Sequence, residues 1–140
     1  MLAQANRKAA WGGSVLQYIR KLQDIPGFSD IPLPGHSISR TVNKVLIDPV
    51  TGSQKLMLLW AKHEPGSVTL PHTHDVEQAY YILSGKLKVT IEGQESVVEA
   101  NSSILFPAGV EHGFVAQGTE PTSFLIVFAP PVDTFTHKPH

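Results

Sequence analysis

From Ser37 onward apolar and polar residues alternate in short runs, and a period of two predicts β-strands rather than helices. Residues 40–47 and 55–64 flank the sequence D-P-V-T-G. Its proline and glycine suit a tight turn, so the two runs are read as a hairpin. Further strands are predicted over 71–74, 78–83, 86–92, 95–99, 103–106, 113–116 and 123–128. Ser84-Gly85 and Glu92-Gly93 mark turns, and Pro130-Pro131 ends the last strand. Many short strands joined by strong turns predict a jelly roll or barrel.

The first third of the chain follows a different pattern. Val15, Leu16, Ile19 and Leu22 form an apolar stripe at helical spacing, and Ser14 with Gln17 forms an S-x-x-Q capping box ahead of it. Residues 1–23 are therefore expected to be helical, with Gly12-Gly13 separating a weaker segment. Residues 24–35 carry three prolines and two glycines and are read as an extended crossing. The expected organisation is an N-terminal helical and extended segment over 1–36, packed on the barrel or on a partner subunit. A β-barrel over 37–132 and a short polar tail over 133–140 follow.

Composition narrows the function classes. At 140 residues and 15.3 kDa the chain can bury one core. A net charge of −1 with no basic cluster argues against nucleic acid and anionic membrane as partners. No apolar run is long enough for a membrane helix. The N-terminus lacks the basic start and apolar centre of a signal peptide, which points to a cytoplasmic protein. The absence of cysteine removes disulfides, thiolate ligands and cysteine nucleophiles together.

The candidate chemistry lies in histidine. His72 and His74 are one residue apart, so on extended backbone their side chains share a face. An unbroken strand would bring Gln78 to that face, although a bend at Asp75-Val76 would loosen the argument. Two imidazoles and an oxygen donor are the beginning of a metal site. An isolated H-x-H is also a common pair of solvated surface imidazoles. A second cluster, Pro107-Ala108-Gly109-Val110-Glu111-His112, sets a turn before a further histidine.

Together the two segments resemble the paired motifs of the cupin superfamily. Gly66, His72, His74 and Gly85 stand in register with the first motif, with Gln78 where that motif has glutamate. Pro107, Gly109 and His112 stand in register with the second. Asn101 replaces its first glycine and Ala116 its final asparagine. Asparagine tolerates the left-handed backbone of a turn glycine, so Asn101 is a mild departure. The resemblance implies an all-β fold, the cupin double-stranded β-helix or jelly-roll barrel, here with an N-terminal helical extension. It implies one divalent transition metal (zinc, iron, nickel or manganese) on His72, His74, Gln78 and His112, a small-molecule substrate, and a homodimer. Glu77 is a rival ligand, but one residue off register it needs a bulge.

Four neutral donors would leave a divalent ion its full charge, which favours anionic oxygen ligands and Lewis-acid chemistry. Cupins with glutamine at this position are similar in pattern to enzymes that act on unsaturated sugar acids or prephenate-like acids, or that assist polyketide cyclisation. The function expected is a non-redox lyase, isomerase or cyclase. An iron-dependent dioxygenase cleaving a diketone or aromatic diol is the alternative, and a non-catalytic ligand-binding cupin a further one. Tyr80 shares the parity of Gln78 and is a candidate proton donor or orienting group, or simply barrel packing. His63 is a candidate base at the barrel mouth, although an exposed strand-end histidine reads the same way. Arg40 is a possible carboxylate clamp or a solvated edge charge. His36 is expected to be exposed in a loop, and Glu111 to point away from the metal. Trp60, Phe106, Phe114 and Phe128 are read as core or pocket wall.

Overall fold

In the computed structural model, residues 18–30 and 40–140 are described. Among them are nine strands: β1 (Thr41–Ile47), β2 (Met57–His63), β3 (Val68–His72), β4 (Glu77–Ser84), β5 (Lys86–Ile91), β6 (Gln94–Glu99), β7 (Ser103–Phe106), β8 (His112–Gln117) and β9 (Thr122–Ala129). All pairings are antiparallel. One sheet has the order β1-β2-β9-β4-β7, the other β3-β8-β5-β6. Consecutive strands repeatedly cross between the sheets, which produces the jelly roll expected from the alternating pattern.

The inner face is set by parity. On β2, Met57, Leu59, Ala61 and His63 are buried while the residues between them are half-exposed. On β9, Thr122, Phe124, Ile126 and Phe128 do the same, and on β4, Gln78, Tyr80 and Ile82. Leu87, Val89, Phe106 and Phe114 close the core from the other side. Trp60 departs from its expected role. Its even position on β2 turns it outward, where it is half-buried beneath Lys44 Nζ at 5.9 Å. Side-chain type suggested core, and strand parity decided otherwise.

Turns match the chemistry of their residues. Asp48 caps a 3-10 turn at Pro49–Thr51: its carboxylate accepts from Thr51 N–H at 3.2 Å, and Thr51 Oγ1 accepts from Asp48 N–H at 2.9 Å. Asn101 takes φ +65°, the left-handed backbone expected of it. Gly85 has φ +78°, and a Cβ there would lie 2.5 Å from Thr122 Oγ1. That hydroxyl is occupied, donating to Lys86 O and accepting from Lys86 N–H.

The capping box at Ser14 and Gln17 and most of the 1–23 helix lie outside the described residues, as does His36. Within the described part, residues 19–21 are not helical, and Leu22–Asp24 forms a single 3-10 turn. After it the chain runs along β1, where Phe28 and Asn43 exchange backbone hydrogen bonds of 2.7 and 2.9 Å. The short polar tail packs back on the rest of the chain. Phe135 packs against Phe28 and Phe128, with ring centroids 6.0 and 6.3 Å away, and His140 Nε2 lies 2.7 Å from the buried Asp48 carboxylate. No helix among the described residues is long and apolar enough to cross a membrane.

Candidate metal centre

Three histidines and one amide converge at one end of the barrel. His72 is the last residue of β3, and His112, the first of β8, stands opposite it in the ladder. His74 lies just beyond β3, and the bend at Asp75-Val76 separates it from β4. Burial still alternates from Pro71 to Glu77, so His74 shares the more buried side with His72, as alternation predicts. Nε2 of His72 is 3.0 Å from Nε2 of His74, and Nε2 of His112 is 2.9 Å from Oε1 of Gln78. One ring nitrogen from each of the three histidines falls within 4.8 Å of the others. Zinc–imidazole bonds of about 2.0–2.1 Å put tetrahedral neighbours roughly 3.3 Å apart, so this cluster can close on an ion with small movements.

The backbone prepares the donors. His72 Nδ1 donates to Leu70 O at 2.7 Å, and His112 Nδ1 donates to Val110 O at 3.0 Å. Each bond holds the proton on Nδ1 and leaves the Nε2 lone pair facing the cluster, as in established metal sites. Phe106 stacks on His112 with ring centroids 4.1 Å apart and fixes the plane of that imidazole. Burial lowers the pKa of His74 to about 4, and its histidine neighbours push in the same direction against Asp75. His112 is also lowered, chiefly by burial. Both rings are neutral at pH 7, the form that binds metal. Glu77 is exposed on the outward face of β4, without the bulge that would bring it in, and Glu111 is exposed as well.

The cluster opens into a cavity of about 640 Å³. Tyr80 lines it and is almost wholly buried. Gln78 Nε2 donates to its hydroxyl across a long 3.5 Å. Burial raises its pKa well above the ordinary value, and the charge of Asp30 adds to the rise. Tyr80 is thus a protonated phenol, able to donate rather than abstract. Arg40 is exposed and is not among the cavity's lining residues. Its backbone exchanges hydrogen bonds with Ser67 Oγ, and among the described residues its guanidinium has no ion-pair partner.

His63 is not an exposed strand-end residue. It is 3% exposed, lines the cavity, and lies between the rings of Phe114 and Phe124 at 5.4 and 5.0 Å. Its parity with Leu59 and Ala61 carried the signal. Burial lowers its pKa to about 4, against a small opposing effect of Asp30. The unfolded chain binds this proton near pH 6.5 and the folded chain only near 4. The contribution to stability is complete above pH 6.5 and is lost as pH falls to 4, at a cost of about 3 kcal/mol. Urea unfolding of wild type and His63→Phe at pH 7.5 and 4 is expected to show the variant gaining that amount on the wild type at the lower pH. Parallel pH dependences would contradict the burial argument.

Two further polar residues line the cavity without having been singled out from the sequence. Asn43 on β1 is buried, and Asp30 accepts from its Nδ2 at 2.9 Å. Asn43 was legible, as a polar residue at the inward parity of Thr41 and Val45. Asp30 comes from an irregular segment and carried no such signal.

The chain is similar to known proteins in sequence and fold. The pectin degradation protein KdgF of Dickeya dadantii (strain 3937) is 28% identical over 112 residues, covering 79% of this chain and 92% of the relative. The structure of the polyketide cyclase RemF from Streptomyces resistomycificus superposes with a TM-score of 0.67 at 26% identity, covering 79% of each chain. KdgF from Halomonas sp. has the same fold, with a TM-score of 0.66 at 23% identity over 81% of this chain and 94% of that one. The Cupin domain family model matches residues 59–128, from the middle of β2 almost to the end of β9, and takes in the whole histidine cluster. On this match the chain belongs to the cupin family.

Proposed function

We propose that this protein is a metal-dependent enzyme that holds one divalent transition metal on His72, His74, His112 and Gln78. It would act without redox change on a small oxygenated acid or ketone, as a lyase, isomerase or cyclase. The observation that carries the reading is the convergence of four neutral donor atoms, paired at 3.0 and 2.9 Å, at one end of a largely apolar cavity. A metal held by these neutral donors would keep its full charge and would supply Lewis acidity toward an anionic substrate oxygen.

The remaining work falls to side chains of the chain itself. Tyr80, protonated and beside Gln78, donates a hydrogen bond to a substrate oxygen and orients it. The rings of Phe114, Phe124 and Phe128 exclude water and hold the substrate's apolar body. His63 is neutral above pH 4 and can offer or accept a hydrogen bond without bringing charge into the cavity. The relatives' names agree in kind: one is a pectin degradation protein, another a polyketide cyclase.

The test is the charge of the site. Zinc-loaded wild type and Gln78→Glu are titrated with oxalate as an enolate-like dianion. The variant is expected to keep its zinc and bind oxalate at least about tenfold more weakly, because a carboxylate adjoins the anion. Equal affinity would sink the neutral-site argument. Oxygen uptake by iron-loaded protein with a diketone would favour the dioxygenase instead.

A further inference from the structure

The cavity does not end at the histidine cluster. On β9, Phe128 stands opposite Gln78 and Thr122 opposite His63, six residues apart. That is roughly 20 Å of strand at about 3.3 Å per residue; Asn43, which holds Asp30, stands level with Ala61 and Phe124, only four residues or about 13 Å from Phe128. The same cavity is lined at both levels, so it is long.

Its His63 end carries a polar group that the metal-centred chemistry does not use. Thr41 pairs with His63 across the β1–β2 ladder, and Asp30 N–H donates to Thr41 Oγ1 at 3.0 Å. Asn43 Nδ2 donates to Asp30 Oδ1 at 2.9 Å. The paired backbones of Phe28 and Asn43 fix the segment that leads to it. The carboxylate is thus held on the cavity wall, and among the described residues no cation pairs with it. Beside it, the buried His63 has no hydrogen-bond partner for Nδ1 among the described residues. An unpartnered buried nitrogen costs stability that a phenylalanine in the same place would not. A polar ring kept in an aromatic clamp, next to a fixed carboxylate on a cavity wall, points to a ligand.

We propose that Asp30, Asn43 and His63 form a second, hydrogen-bonding pole of this cavity. It selects elongated, flat, apolar molecules with an acidic oxygen at one end and a hydroxyl donor at the other. This rests on the metal-centred reading, which supplies the pole for the acidic oxygen. Between the poles the walls are Leu59, Phe114, Phe124 and Ile126. A sugar acid with a hydroxyl on nearly every carbon would leave most of them unpaired against these walls, at a cost for each. A ring system hydroxylated only at its far end would not.

The test uses two probes on zinc-loaded protein by titration calorimetry: naphthalene carboxylate, and the same molecule with a hydroxyl on the ring far from the carboxylate. Wild type is expected to bind the hydroxylated probe about tenfold more tightly, as one hydrogen bond to a charged acceptor allows. Asp30→Ala is expected to abolish that preference while binding the plain probe as before, and His63→Phe to reduce it. His72→Ala, which reports on the metal pole, is expected to weaken both probes together. The proposal is overturned if wild type shows no preference, if the preference survives in Asp30→Ala, or if neither probe binds. If His72→Ala binds both probes like wild type while the preference still depends on Asp30, the metal reading fails and the second pole stands. Thermal melts of each variant confirm that it is folded.

Discussion

Gly113→Ala is expected to cost the protein both stability and its metal. The ladder between β3 and β8 pairs Thr69 with Phe114 and His72 with His112, so Leu70 and Pro71 bulge opposite Gly113 alone. A Cβ on Gly113 would lie 2.8 Å from Pro71 N, 2.8 Å from Thr69 O and 3.1 Å from Leu70 C. All three are backbone atoms, so no side chain can turn aside to make room. The β3 segment must move, and with it Leu70 O, the acceptor that fixes the His72 ring. Forcing a methyl into such a contact costs about 2–3 kcal/mol. Displacing an orienting partner of a metal-binding imidazole costs metal affinity on the order of tenfold to a hundredfold. Gly93→Ala is the control: unlike Gly113 it has a positive φ, +79°, but a Cβ there meets nothing within 4 Å. It is expected to lose some stability to backbone strain and no metal. Competition with a zinc-chelating dye, together with urea unfolding, reads both effects. Undiminished zinc affinity in Gly113→Ala would show that the bulge does not position His72.

That bulge marks the limit of what could be read from the chain. Strand parity placed Gln78 and Tyr80 inward and Glu77 outward, as found, because β4 runs unbroken from Glu77 to Ser84. Asn101 in left-handed backbone was legible for a similar reason, since the residue type and the turn agree locally. The meeting of His72 and His74 was anticipated on strand alternation. The hydrogen-bonded strand ends at His72, but the alternation of burial continues through His74 and keeps the two rings on one side. Where parity and residue type disagreed, parity was the better guide. Trp60 faces outward in spite of its size, and His63 faces inward in spite of its polarity.

The parts that could not be read come from segments without a period. Asp30 reaches the cavity through one isolated bridge between Phe28 and Asn43, and Phe135 reaches it from a tail whose other residues are mostly polar. Nothing local dictates either position. Each depends on surfaces that exist only once the barrel has formed: the edge of β1 for Phe28 and the ring of Phe128 for Phe135. The cluster lay in two motifs with fixed spacing and was legible, while Asp30 and Phe135 on the cavity wall were not.

The proposed chemistry requires a metal held by neutral donors. Its most direct test is the metal content of untagged protein purified without chelator, measured by mass spectrometry for wild type and His74→Ala. His74 supplies one of the four converging donors, and its partly exposed position makes its loss tolerable to the fold. The expected result is about one equivalent of a divalent transition metal in wild type and little or none in the variant, with both proteins folded. No metal in either, and none taken up from added zinc, manganese, nickel or iron(II), would contradict the account.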